Sequence, residues 1–222
     1  HGWDMFYKLI QYWAIGFSIG GPYACLIYEV RGHGKSKGKK RMTVEMMEDV
    51  TRVIDHVFAM KDPRIDYSNV GFFGFSYGAI CALTKGYSDP RIKAVVAMAG
   101  AHDVKACFSR KPESFKARIR LNGLIFSGLN HKKISEEDNK VMSPKYVIDP
   151  NNHEKNQNVL LIHGENDNCI PFSEFEKNAE LLQSKPENLV RIPNTNHSLN
   201  SQELIAFSRA LGFFRNKLKP TN

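Results

Sequence analysis

The sequence predicts an α/β fold, with a mostly parallel sheet and helices on both faces. Two observations predict it. Short apolar runs with the length of buried strands alternate along the chain with longer segments of helical periodicity. The 222 residues, 42% hydrophobic and 24% charged, suit one large domain with a sizeable core, and no internal repeat divides them.

The elements follow in order. Residues 4–14 read as a helix, and "GFSIGGP" reads as the turn after it. "YACLIYEV" (23–30) has the length of a buried strand. A Gly- and Lys-rich loop follows. Thr43 then offers an N-cap with Glu45 in the first turn, and Val44, Met47, Val50, Ile54 and Val57 form the stripe of an amphipathic helix. "DPRIDYSN" breaks that helix. "VGFF" is the next strand, and "YGAICALTKG" is a helix with Gly86 as its stop. "IKAVVAM" (92–98) is a third strand. Residues 104–157 differ in character: they are charged, with short helical patches and no long strand. Pro112 can open one patch, and Ser135 can cap another that ends at Ser143-Pro144. "VLLIH", "PFSEFEKNAELLQS" and "LVRI" then give strand, helix, strand. A last helix follows Ser201, with Leu204, Phe207, Leu211, Phe214 and Leu218 on one side.

Composition narrows the classes of partner. The net charge is +8, and the densest basic run is "RGHGKSKGKKR" (31–41). It has no interleaved aromatics to stack bases and no recognisable nucleic-acid module around it, so it reads as a solvated loop, with no nucleic-acid partner. Cys25, Cys81, Cys107 and Cys169 lie far apart with no CxxC pair, which leaves zinc and redox motifs unsupported. Buried free thiols are expected, favouring a reducing, cytoplasmic setting. The apolar stretch 9–30 is interrupted by Gln11, "GFSIGGP" and Glu29, so it reads as helix, turn and strand without a membrane span.

Parallel α/β sheets bind ligands beyond the carboxyl ends of their strands, and three such ends carry chemistry. The first is "GFSYG" (74–78). A serine between glycines on a sharp strand-to-helix turn has its Oγ thrust out at the sheet edge, which makes Ser76 a candidate nucleophile. At the second end, "VLLIHGENDNCIP" places Asp167 four residues after His163. A carboxylate here can fix a histidine tautomer and stabilise its imidazolium. Glu165 competes for that task, but it is closer to the strand and less able to swing across. At the third end, "VRIPNTNHSLN" carries His197, the last histidine of the chain. His102, which also follows a strand, is the competing base, and His163 reads as a wall residue. A base at His197 predicts activity that rises with pH around the ordinary imidazole value of about 6.5, unless its surroundings shift it.

In "HGW", "RGHGKS", "GFSYG", "HGENDNCIP" and the final "NHS", the chain resembles the α/β-hydrolase family, in particular its serine aminopeptidase-like and prolyl-oligopeptidase-like branches. The resemblance runs from His1 to His197. It implies an α/β-hydrolase fold and an oxyanion hole formed by the backbone N–H groups of Tyr77 and Trp3. It also implies a Ser76-His197-Asp167 triad that needs no cofactor and no metal, with a small-molecule ester or peptide as substrate. Residues 104–157 would be a helical cap over the pocket, with Phe108, Phe115, Phe126 and Leu129 as its apolar contacts. In the family "HG" directly follows a central strand between those of "YACLIYEV" and "VGFF". Here His1 is the first residue, so the expectation is a single domain lacking its N-terminal strands.

Overall fold

The structure, a computed structural model, describes residues 7–38, 43–109, 134–199 and 201–219. Its centre is a parallel sheet of four strands in the order β1-β2-β3-β4: Val70–Phe75, Ile92–Met98, Val159–Gly164 and Leu189–Ile192. The register pairs Phe73 with Val96, Val96 with Leu160 and Ile162 with Val190.

Every side chain of β3 is buried, and β2 exposes only Lys93. This explains why these strands read as continuous apolar runs: a parallel sheet is covered on both faces. The period-two alternation sorts their side chains into two cores. Val95, Ala97, Val159 and Leu161 face one side, where α2 (Val44–Ala59), α3 (Tyr77–Cys81) and α6 (Phe172–Leu181) pack. Ala94, Val96, Leu160 and Ile162 face the other, under α1 (Tyr7–Gly20) and α7 (Glu203–Lys217). There Trp13 stacks on Phe73 with ring centroids 4.8 Å apart, and Phe17 meets Phe207 and Phe214 at 5.1 and 5.6 Å. Between α3 and α6 in sequence come α4 (Val104–Ser109) and α5 (Glu136–Met142).

Two helix-start expectations meet different outcomes. Ser135 caps α5 by accepting the Asp138 N–H, as its sequence suggests. Thr43 precedes α2 without a side-chain cap bond. Instead the carboxylate of Asp138 accepts the Val44 N–H at 2.8 Å, so α5 supplies the anion for the N-terminus of α2. The stripe of α2 is buried as expected at Met47, Val50 and Ile54, joined by Met46. Each such side chain contributes about 1.5–3 kcal/mol of apolar burial.

Other expectations are corrected. Residues 23–30 form no strand: a strand exists only through its ladder, and no neighbour pairs with this segment among the described residues. Leu26 and Cys25 are exposed in consequence, so the expectation of buried thiols holds for Cys81 and Cys107 but not for Cys25. A cleft of about 590 Å³ lies beside the segment, lined by Tyr28, Arg31, Asp49, Arg52 and His56 among others; Ser76, Asp167 and His197 are not among its walls. In the basic loop, Arg31 makes a two-pronged ion pair with Asp49 at 2.6 and 2.7 Å. Helix α1 runs on to Gly20 through the expected turn, because Phe17 is drawn into the aromatic core. Gly86 does not stop α3. The helix continues through a widened π turn, Ala82–Gly86, and a side chain at Gly86 would press on the Phe72 ring. Helix α7 turns Phe207, Leu211 and Phe214 of the predicted stripe inward, with Leu218 just beyond its end, and buries Ala206, Ala210 and Phe213 beside them; of the stripe, Leu204 alone is exposed. No helix among the described residues is long and apolar enough to cross a membrane.

Candidate active site

The site is built where β1, β3 and β4 end. At the end of β1, Ser76 adopts φ 55° and ψ −115°, a conformation that costs of order 1–3 kcal/mol for a residue with a side chain. Two features hold it there. Its N–H donates to Met98 O of the neighbouring strand at 2.8 Å, and its C=O accepts the Ala79 and Ile80 amides of α3. The turn is tight enough that a Cβ on Gly74 would overlap the Gly78 carbonyl. A Gly74→Ala protein is therefore expected to lose about 4 kcal/mol or more of stability, because only backbone atoms stand in the way. A melting temperature within a few degrees of wild type would contradict this. Tyr77 is the first residue of α3, and the N–H groups of a helix's first turn are directed out of its N-terminal end.

Asp167 lies in the loop after β3, with its side chain fully buried, whereas Glu165 is exposed. One carboxylate oxygen, Oδ1, accepts the N–H groups of Cys169 and Ile170, both at 2.7 Å. The other, Oδ2, accepts His197 Nδ1–H at 2.7 Å. His197 stands in the loop after β4 with its ring tilted against Phe75, centroids 5.0 Å apart, and its Nε2 is 2.9 Å from Ser76 Oγ. Three of the residues predicted from strand ends thus form one hydrogen-bonded row. His102 is not part of it. Its Nδ1 is 3.1 Å from Asn178 Oδ1 on α6, and its backbone N–H donates to the buried Glu174 carboxylate. Trp3, the other expected oxyanion donor, lies outside the described residues, as do Phe115, Phe126 and Leu129. Phe108 packs against the core that α2 and α3 share.

The electrostatics of the row follow from its contacts. Burial would raise the Asp167 carboxyl, but hydrogen bonds from His163 and His197 outweigh it and hold the group well below the usual carboxylate range. Burial would lower the His197 imidazole, yet the bond to Asp167 and the neighbouring Cys169 raise it to about 9. In its deprotonated form the ring keeps its hydrogen on Nδ1, facing the carboxylate, and Nε2 can accept the hydroxyl proton of Ser76. A serine so placed can attack an electrophilic carbon.

A profile of the prolyl oligopeptidase family matches residues 13–221. The chain belongs to that family. This prolyl oligopeptidase family member has the fold of the α/β-hydrolase superfamily. It is 34% identical over 91 residues to the thiohydrolase apmlB of Arthrinium phaeospermum, a match that covers 40% of this chain and 29% of that relative. The chain thus spans less than a third of that relative's length. Its fold is similar to that of DcsB, solved in complex with a substrate analogue, with TM-score 0.68 and 17% identity over 99% of this chain and 89% of the other. It is also similar to the Pyrococcus furiosus esterase Pf2001, with TM-score 0.65 and 19% identity over 98% and 81% of the two chains.

One residue of the site was not legible as such. His163 reads as a wall residue in the sequence, yet its Nε2 lies 3.2 Å from Asp167 Oδ2. The four-residue spacing between them was visible, but the loop that folds Asp167 back onto the strand end was not.

Proposed function

We propose that this family member is a serine hydrolase that cleaves small acyl esters through a Ser76 acyl-enzyme. The observation that carries this reading is the unbroken row from Ser76 Oγ through both nitrogens of His197 to Asp167 Oδ2. His197 takes the Ser76 proton as Oγ bonds to the carbonyl carbon, and the carbonyl π electrons move onto oxygen. The Tyr77 N–H is one donor to that oxyanion, and the resemblance assigns the second to Trp3. Collapse expels the leaving group, which takes the proton from His197. Water, activated by the same imidazole, then frees the acid and restores Ser76. The resemblance assigns residues 104–157 to the cap that selects the acyl chain. The likeness to a thiohydrolase favours a second substrate class, acyl thioesters, cleaved by the same steps with a thiol leaving.

Treatment with a fluorophosphonate followed by mass mapping tests the reading. Modification at Ser76 is expected, and a folded protein that stays unlabelled would refute it. A panel of esters, thioesters and peptide amides then ranks the leaving groups.

The pH dependence has a defined sign. Protonated His197 cannot accept the serine proton, so activity is lost as pH falls through its folded pKa. That value is about 9. The rise of kcat/KM is therefore expected well on the alkaline side of the ordinary imidazole value of about 6.5. A profile already flat above neutral pH would contradict this placement.

A further inference from the structure

Asp167 receives a fourth donor that the row from Ser76 to Asp167 does not include. His163, on β3 and 1% exposed, points its Nε2 at two acceptors: Ile170 O at 2.9 Å and Asp167 Oδ2 at 3.2 Å. Both are oxygens without hydrogens, so Nε2 carries the hydrogen, which is bonded to Ile170 O with Asp167 Oδ2 beside it. The ring is clamped edge-on by Phe172 and Phe175 of α6, with centroids 5.8 Å away in each case. The donor therefore has no freedom to turn elsewhere.

We propose that His163 is a positioning residue whose Nε2–H holds Asp167 Oδ2 in the place that aligns His197 on Ser76. The proposal rests on the serine-hydrolase reading above. The backbone amides of Cys169 and Ile170 fix only Oδ1. A carboxylate anchored through one oxygen can still swing the other about its last torsion. The His163 Nε2–H lies against that second oxygen, the one that also accepts from His197, and restrains it. The bond also draws charge from the oxygen that stabilises the His197 imidazolium. Removing it therefore changes how tightly His197 holds its proton.

The charged surroundings are few. Asp167 faces His163 from its own loop, and His197 lies beyond it on the loop after β4. From β4, Arg191 is the register partner of His163, and its guanidinium lies over the Phe172 and Phe175 rings at 5.5 and 5.8 Å. From α6, the Glu174 carboxylate is turned away to the His102 and Asp103 amides and to Lys177. His197 itself is met by Ser76, Asp167, Cys169 and the uncharged Phe75.

Three variants test the idea on the whole chain. His163→Leu removes the donor, His163→Asn keeps an amide too short to reach Oδ2, and His163→Gln returns an N–H to the place of Nε2. Two readouts are used: ester turnover, and the NMR titration of the His197 imidazole with its downfield Nδ1–H signal. In the Leu and Asn proteins kcat is expected to fall on the order of ten- to a hundredfold with KM little changed. The His197 titration should move away from its wild-type position, and Gln should restore both. If Leu fails to fold, the Asn and Gln pair still decides the matter. Folded Leu or Asn proteins that titrate and turn over as wild type would overturn the proposal. So would a folded Gln protein as impaired as Asn. Absence of Ser76 labelling in the wild type would sink the hydrolase reading instead, and the NMR titration would still report on His163.

Discussion

Ser76→Ala is expected to leave the fold intact and to slow turnover by about 10⁶-fold, with complete loss of fluorophosphonate labelling. The fold survives because alanine keeps the Cβ that the turn already accommodates at φ 55°. The backbone bonds that impose this conformation, to Met98 and from Ala79 and Ile80, do not involve the hydroxyl. Chemistry fails because alanine has no Oγ for His197 Nε2 to deprotonate. What remains is attack by water, assisted by binding and oxyanion stabilisation alone. Melting curves that superimpose on wild type, together with single-turnover ester kinetics, check the claim. A rate within tenfold of wild type would overturn it.

Asp167→Asn has the second largest expected effect, a drop in kcat of about 10⁴-fold. The reason is a matter of which atoms can donate. The Cys169 and Ile170 amides demand an acceptor at the Oδ1 position, so the asparagine carbonyl settles there. Its NH₂ then replaces Oδ2 and meets His197 Nδ1. Two donors cannot pair, so the imidazole moves its hydrogen to Nε2 and presents it to Ser76. The base becomes a donor toward the nucleophile. The variant also alters acid denaturation. A depressed carboxyl stabilises the native state above its unfolded pKa of about 3.9, and that contribution is lost as pH falls toward the folded value. Asp167→Asn should therefore show a shallower dependence of stability on pH in the acid range. Turnover within tenfold of wild type would mean that Asp167 does not orient His197.

Much of this architecture can be read from residues alone, for identifiable reasons. β2 and β3 are covered on both faces, so they stand out as unbroken apolar runs, and a parallel order fixes which strand ends share a rim. That is why Ser76, Asp167 and His197 could be named before their distances were known. Segment 23–30 has the same composition as a strand, but composition cannot report whether a partner lies alongside. Gly86 carries a helix stop's residue type, and only the Phe72 ring reveals that it serves close packing. Leu204 fits the stripe that Phe207, Leu211, Phe214 and Leu218 carry into the core, but it stands in the first turn of α7, where nothing among the described residues covers it. Choosing Asp167 over Glu165 needed only reach. The bond from His163 needed the path of a loop, which no spacing encodes.

The hydroxyl and the imidazole that meet at 2.9 Å are 121 positions apart in the chain. Synthesis runs from the amino end, so a nascent polypeptide displays the serine long before the histidine has left the ribosome. Until β3 and β4 have docked in turn, no partner exists to draw off its proton. Their parallel pairings are all remote in sequence, so this docking comes late and slowly. On the serine-hydrolase reading, the order of the genetic message thus leaves the hydroxyl without its base until the last strands are in place.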